Sequence, residues 1–395
     1  MRSESAACPI TGLVFGNLNR GILAPMATVR PWLAFGIAVA TGCSLLVDPY
    51  ELSRSSPPND AAPPPEDSSL PDTSRTCDLR VPPTAPNGPD TDSGAPLTFA
   101  LRTFRGTSTI GFDLDGRCTG AGVEFGDLSK SSCVARANTF SLADGDGGVD
   151  NATSELLRTA GAAAGVNEDV LGFGEFAADG RQTILIEVNR FSGLSDDPDV
   201  TVTVGESPGL MMAEPCNDGG SSDSGIADGG SDSAGDANLT PSWLGCDTWH
   251  VAPIPPSESK VAWVRSGTLV AQFDLLPVRF GDVYLRLRGV VATLNPQKKL
   301  VVSGRIDPAE LVNALGEVVF AGGPLCTNAP LFNGLRQLAC DGADLYSGTD
   351  AEARSCNTLS FAAEFDAIPA RSGAPRSIRP LPERCRGTPK VACAP

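Results

Sequence analysis

From residue 97 to residue 306 the hydrophobic positions recur mainly with period two, the spacing that puts alternate side chains on one face of a strand. Leu97, Phe99 and Leu101 alternate with Thr98, Ala100 and Arg102, which predicts a half-buried strand, and Thr107 to Leu114 reads as its partner. Further strands are expected at 183–188, 260–265, 268–275, 283–291 and 299–306, and at 200–204, where Val200, Val202 and Val204 share a face. Val283, Leu285 and Leu287 point one way, with Tyr284, Arg286 and Arg288 opposite. Gly289 and Gly304 interrupt two of these runs and predict bends or bulges.

Helical signals are fewer. Asp150 or Asn151 can cap a short helix over 152–160. Asp307-Pro308 starts another, because Asp suits the cap, Pro suits the first turn and Gly316 can close it. A third is expected over 331–339, followed by a strand near 358–365. This order predicts a mainly β fold: a disulfide-stabilised, β-sandwich-like domain with a few short helices over 97–370, then a Cys-containing tail, 371–395.

Two stretches carry no period. Residues 217–240 are almost all Asp, Gly, Ser and Ala, which predicts a disordered insertion in the domain. Its aspartates do not repeat at the nine-residue spacing of calcium-binding β-rolls. Residues 43–96 are rich in Pro and Ser, as in Ala62-Pro63-Pro64-Pro65, and cannot build a packed core. They read as a disordered tether.

Ahead of the tether, residues 1–42 read as a leader. Met26-Ala27-Thr28-Val29-Arg30 supplies a basic start and Trp32 to Ala40 an apolar core, far shorter than the ~20 residues of a membrane span. A leader counted from Met26 has the usual length, so the signal peptide is placed at 26–42 and Met26 is expected to be the true start. Val39-Ala40-Thr41-Gly42-Cys43 closes the apolar run. This resembles the lipobox of bacterial lipoproteins. The resemblance implies cleavage before Cys43, lipidation of Cys43 and attachment to a membrane through its acyl chains. Ser44, rather than Asp, follows the cysteine and points to the outer membrane or cell surface.

Charge and cysteine content narrow the picture. Removing the leader takes Arg2, Arg20, Arg30 and Glu4 from 30 basic and 47 acidic residues, leaving 27 and 46 and a net charge of −19. Such a surface repels phosphate backbones, so no nucleic-acid partner is expected. Cys8 leaves with the leader and Cys43 is acylated. Ten remain: Cys77, Cys118, Cys133, Cys216, Cys246, Cys326, Cys340, Cys356, Cys385 and Cys393. In an exported chain these predict five disulfides of undetermined connectivity. Pairing by proximity would join Cys118 to Cys133, Cys216 to Cys246, Cys326 to Cys340 and Cys385 to Cys393. No CxxC pair exists and His250 is the only histidine, which argues against zinc.

Three constellations offer chemistry. Asp144, Asp146 and Asp150 stand at loop positions 1, 3 and 7 of an EF-hand-like stretch, with Glu155 at position 12, making calcium the candidate cofactor. Gly148 and Val149 depart from that pattern at positions 5 and 6, and aspartates also build tight turns. Asp113 and Asp115, in a second Asp-x-Asp-Gly turn, are further donors. Gly205-Glu206-Ser207-Pro208-Gly209 matches a nucleophile elbow, which needs a following helix and a histidine base, here only His250. Trp243, Trp249 and Trp263 offer rings for stacking on sugars, although a mid-strand Trp263 also suits a core.

Phe112-Asp113-Leu114-Asp115-Gly116-Arg117-Cys118-Thr119 and Asp146-Gly147-Gly148-Val149-Asp150-Asn151-Ala152 resemble exported proteins and lipoproteins of the myxobacterial kind. So do Asp247-Thr248-Trp249, Asp344-Leu345-Tyr346 and Cys356-Asn357-Thr358-Leu359-Ser360. The resemblance covers most of 97–370 and implies location and domain extent, without an active site. The expected function is that of a non-enzymatic surface-binding or structural protein of the cell envelope. Its partners would be the membrane, through the anchor, and envelope proteins or polysaccharide. The alternative is a secreted hydrolase or a carbohydrate-binding module.

Overall fold

The computed structural model describes residues 79–88, 94–117, 133–134, 144–145, 147–163, 177–213, 240–320, 322–348 and 354–393. The leader, Cys43, most of the tether and of the 217–240 insertion, Asp146, Cys77, Cys118 and Cys216 lie outside the described residues. The fold is mainly β, with a large antiparallel sheet and three α-helices.

The strands are β1 (Leu97–Arg105), β2 (Thr183–Asn189), β3 (Thr201–Ser207), β4 (Leu210–Met212), β5 (Thr248–Val251), β6 (Ser257–Glu258), β7 (Val261–Arg265), β8 (Thr268–Phe280), β9 (Val283–Leu294), β10 (Lys299–Ile306), β11 (Val319–Phe320), β12 (Gly323–Pro324) and β13 (Leu359–Pro375). The main sheet runs β6-β3-β2-β1-β13-β10-β9-β8-β7, every neighbouring pair antiparallel. Its two ends meet. Residues 257–264 run beside 197–204 in one register: Ser257 opposes Val204, Glu258 opposes Thr203, and Asp197 opposes Val264. The sheet thus rolls into a barrel of eight strands, and the two layers of the expected sandwich are opposite walls of one sheet.

Eight strands leave an interior that side chains can just fill. Leu101, Ile184, Ile186, Val202, Phe273, Phe280 and Phe365 all point inward. The void left among them is about 30 Å³. Phe280 stacks on Phe365, ring centroids 5.8 Å apart, and Phe104 meets both rings edge-on.

The inward set changes phase midway. In β8 it passes from Leu269, Ala271 and Phe273 to Leu276, Val278 and Phe280. In β9 it passes from Leu294 and Ala292 to Leu287, Leu285 and Val283, across Gly289 at φ +54°. The β9–β10 register slips between Ser303 and Arg305, on either side of Gly304. The two glycines expected to bend their strands therefore lie at one bulge, where the barrel wall turns.

Two helices pack against this wall, α1 (Ala152–Ala163) on β13 and α2 (Pro308–Gly316) on β9, and a third, α3 (Ala329–Asp341), packs on both of them. Asp307 caps α2 as expected, its Oδ1 accepting the N–H groups of Ala309 and Glu310. Leu156 of α1, Leu311 and Leu315 of α2 and Leu335 of α3 join the same apolar core as the barrel lining.

Thr107 to Leu114 forms no strand; β2 and β13 take the two edges of β1 instead. The segment crosses the outer wall as a series of turns. Gly111, at φ +131°, lies so near Ala362 that a Cβ would come within 2.7 Å of that methyl. Residues 80–83, within the expected tether, also bind the domain. The Arg80 N–H donates to Gly147 O at 2.8 Å, and Trp263 Nε1 donates to Pro83 O at 3.0 Å.

Three disulfides lie wholly within the described residues: Cys133–Cys356, Cys326–Cys385 and Cys340–Cys393. They correct the proximity pairing at Cys133, Cys326, Cys340, Cys385 and Cys393. Cys326 lies in the turn before α3 and Cys340 in the last turn of that helix, and the tail runs back across α2 to reach each of them. Arg384 Nη1 donates to Glu317 O at 2.8 Å and the Val391 N–H donates to Asn313 Oδ1 at 2.9 Å along the way. Cys246 is also disulfide-bonded.

Candidate functional site

The densest polar cluster sits outside the barrel, where the turn at 111–117 and the loop before α1 cross β10 and β13. Both segments are fixed by backbone bonds: the Asp150 N–H donates to Phe112 O at 3.2 Å, and the Asp113 N–H to Arg80 O at 2.9 Å. Arg305 reaches out from β10, its Nη2 donating to Leu114 O at 2.7 Å. Asn151 ties the loop to the wall. Its Nδ2 donates to the carbonyls of Thr107, Ile110 and Ala362, and its Oδ1 accepts the Ala362 N–H at 3.0 Å.

Three carboxylates converge here. One oxygen each from Asp113, Asp115 and Asp150 lies within 4.8 Å of the others. Asp113 and Asp150 are buried and Asp115 is half-buried. Asp113 Oδ1 accepts the N–H groups of Asp115, Gly116 and Arg117 at 3.1, 2.7 and 3.3 Å, the expected Asp-x-Asp-Gly turn. Asp113 Oδ2 is buried with no partner. Asp150 Oδ2 accepts the Leu114 N–H at 2.6 Å.

The electrostatics are strongly unfavourable to so much negative charge. Burial first, then the charges of Asp344, Asp144 and Asp115, push Asp150 up to about 10. Burial also raises Asp113, against the turn's N–H bonds. Asp344 stands behind the cluster, raised by burial to about 6 although its carboxylate accepts the Ser360 N–H at 2.7 Å and hydroxyl at 2.5 Å. Ser360 Oγ in turn accepts the first N–H of α1, from Ala152, at 2.7 Å. None of Asp113, Asp115 and Asp150 forms an ion pair among the described residues.

The EF-hand-like spacing is not realised as a twelve-residue loop. Gly145 pairs with Val149, closing a tight turn, and α1 begins at Ala152. Glu155 points instead to Arg158, with two bonds at 2.5 and 2.9 Å that hold its carboxyl below the usual range. Asp144 is close enough to act on Asp150 but is not one of the three converging residues. Position 7 of the expected loop therefore stays, and the neighbouring turn supplies the other carboxylates. Asp344 entered the sequence reading only as part of a resemblance, with no sign of this role, being remote from both turns.

The nucleophile-elbow reading meets a different geometry. A strand, β4, follows Gly209 where a helix is required. Ser207 is fully buried, its hydroxyl donating to Gly209 O at 3.2 Å. His250 Nδ1 lies 2.9 Å from Ala374 O, and no hydrogen bond joins the two side chains. The tryptophans are equally committed. Trp249 is fully buried and Trp263 is core, while half-buried Trp243 packs on Trp249 at 5.4 Å beneath the Arg102 guanidinium at 5.7 Å. No ring face is left open at Trp249 or Trp263 for a sugar.

No protein-family model, no curated protein and no solved structure matches the chain.

Proposed function

We propose that this chain is an exported bacterial lipoprotein of the kind its leader resembles, anchored through Cys43 in the outer membrane or at the cell surface. Its folded domain acts there as a non-enzymatic binding or structural module for envelope proteins or polysaccharide. The observation that carries this reading is the filled barrel. A void of about 30 Å³ admits little more than one water, whereas small-molecule sites need roughly 300–1,000 Å³. Recognition then falls to the outer surface. The disulfides suit an oxidising compartment, and the buried Ser207 hydroxyl supports a binding role over the hydrolase reading.

The test is maturation and fractionation of Cys43→Ala beside the wild type. The wild type should be cleaved, carry acyl chains by mass spectrometry and need detergent for extraction. The variant should accumulate as an unacylated precursor. If the variant matures and fractionates like the wild type, the anchor is lost from the reading. Crosslinking on intact cells followed by isolation should then recover an envelope component with the wild type alone.

A further inference from the structure

We infer that Asp113, Asp115 and Asp150 form a binding site for a hard divalent cation, with calcium the ion that fits. Three observations carry this, and none depends on the anchor or on the proposed surface role. First, the donor oxygens of the three residues lie within 4.8 Å of one another. Calcium takes oxygens at about 2.3–2.6 Å, so two ligands across one ion stand at most ~5 Å apart, and a single ion can touch all three carboxylates.

Second, Asp113 is only 9% exposed, and its Oδ2 is buried without a hydrogen-bond partner while Oδ1 takes three N–H groups. A buried carboxylate oxygen with no N–H or O–H donor is rare in native proteins and calls for a proton, a water or an ion as its partner. A cation supplies what the chain does not. Third, no lysine or arginine pairs with the three carboxylates among the described residues. The Arg305 guanidinium, which reaches this face from β10, donates to Leu114 O.

The donor set decides the metal. Every candidate ligand is oxygen, which suits calcium or magnesium and disfavours zinc and copper, with their preference for nitrogen and sulfur. Magnesium demands near-octahedral ligands at 2.0–2.1 Å and keeps several waters. A half-buried cluster of carboxylates carried on two turns suits the looser, larger shell of calcium. The ion would pin the 111–117 turn to the loop before α1, so its effect is structural: it holds this face of the barrel in one shape.

The experiment is a calorimetric titration of the full oxidised protein with calcium chloride, paired with thermal unfolding in calcium and in EGTA. One saturable site is expected, with a rise in Tm of about 5 °C or more at 100 times Kd. Asp113→Asn and Asp115→Asn should each weaken binding at least tenfold and shrink the Tm shift. Asp274→Asn, which removes an exposed acid paired with Lys260, should change neither. Magnesium should bind at least tenfold more weakly. The proposal is overturned if the wild type shows no saturable binding and no shift, the result expected if the three carboxyls simply share protons. It is equally overturned if both Asn variants keep the full response, which would put the ion elsewhere on this acidic chain. The wild-type titration decides the matter even where a variant fails to fold.

Discussion

Asp197 and Val264 exchange both of their backbone hydrogen bonds, at 2.9 and 2.8 Å, and so join the first and last edges of the sheet. Asp197 is prepared for this by its own side chain. Its buried Oδ2 accepts the N–H and hydroxyl of Ser192 at 2.8 and 2.6 Å, folding the 192–197 turn under the barrel rim. Asp197→Ala would leave three donors unmet, the third being the Asp199 N–H on Oδ1, and loosen the closing pair, a loss of about 2–3 kcal/mol. Chemical denaturation of the oxidised protein measures it. Hydrogen exchange should quicken at Val264 and Val200 before it quickens in β10, and a uniform response would separate closure from this turn.

Asn151 makes the sharper case. Three carbonyl oxygens surround its Nδ2 and a strand N–H meets its Oδ1, all with the side chain 6% exposed. Asn151→Asp keeps the shape but turns an acceptor, charged or protonated on one oxygen only, toward three acceptors. A loss of about 3 kcal/mol or more is expected, exceeding that of most substitutions. A measured loss under 1 kcal/mol would mean the loop can leave the wall without consequence.

Acid stability should carry the mark of Asp366. Burial draws its carboxyl upward, but hydrogen bonds from Lys299, Thr103 and Arg105 outweigh it and hold it down at about 2. A carboxyl depressed on folding contributes stability in full above its unfolded value near 4, and loses it as pH falls toward 2. For a group at 21% exposure the contribution is about 1–2 kcal/mol. Asp366→Asn should therefore flatten the stability profile between pH 4 and pH 2, with its main cost above pH 4. Parallel profiles for variant and wild type would assign the acid sensitivity to other groups.

Where local physics suffices, the chain announces its structure. Lys299 to Ile306 reads as a strand by alternation alone and is one, and Asp307-Pro308 opens α2 because capping needs nothing beyond neighbouring residues. Thr107 to Leu114 misleads for a tertiary reason: its backbone groups bond Arg80, Asn151 and Arg305 instead of a neighbouring strand, and Gly111 lies where a side chain would meet Ala362. The barrel's closure is likewise hidden, since nothing near Asp197 names Val264, 67 positions on. All three converging carboxylates were named from the sequence, Asp113 and Asp115 from the Asp-x-Asp-Gly turn and Asp150 from the EF-hand-like spacing. The convergence of Asp113 with Asp150, and the pressure of Asp344 behind them, comes only from two remote loops meeting on one wall.

The disulfide order has a consequence for biogenesis. Each of the three bridges skips the cysteine nearest in sequence: Cys326 waits for Cys385, Cys340 for Cys393, and Cys133 for Cys356. In a chain threaded across a membrane from its N-terminus, Cys326 and Cys340 would emerge together while their partners were still inside. The wrong bridge is thus the first one on offer, and an oxidase that joins cysteines as they appear would trap it. If the chain is exported as proposed, correct assembly would then depend on thiol–disulfide exchange after translocation. A cell lacking a disulfide isomerase should accumulate this protein with Cys326 joined to Cys340 and the tail adrift.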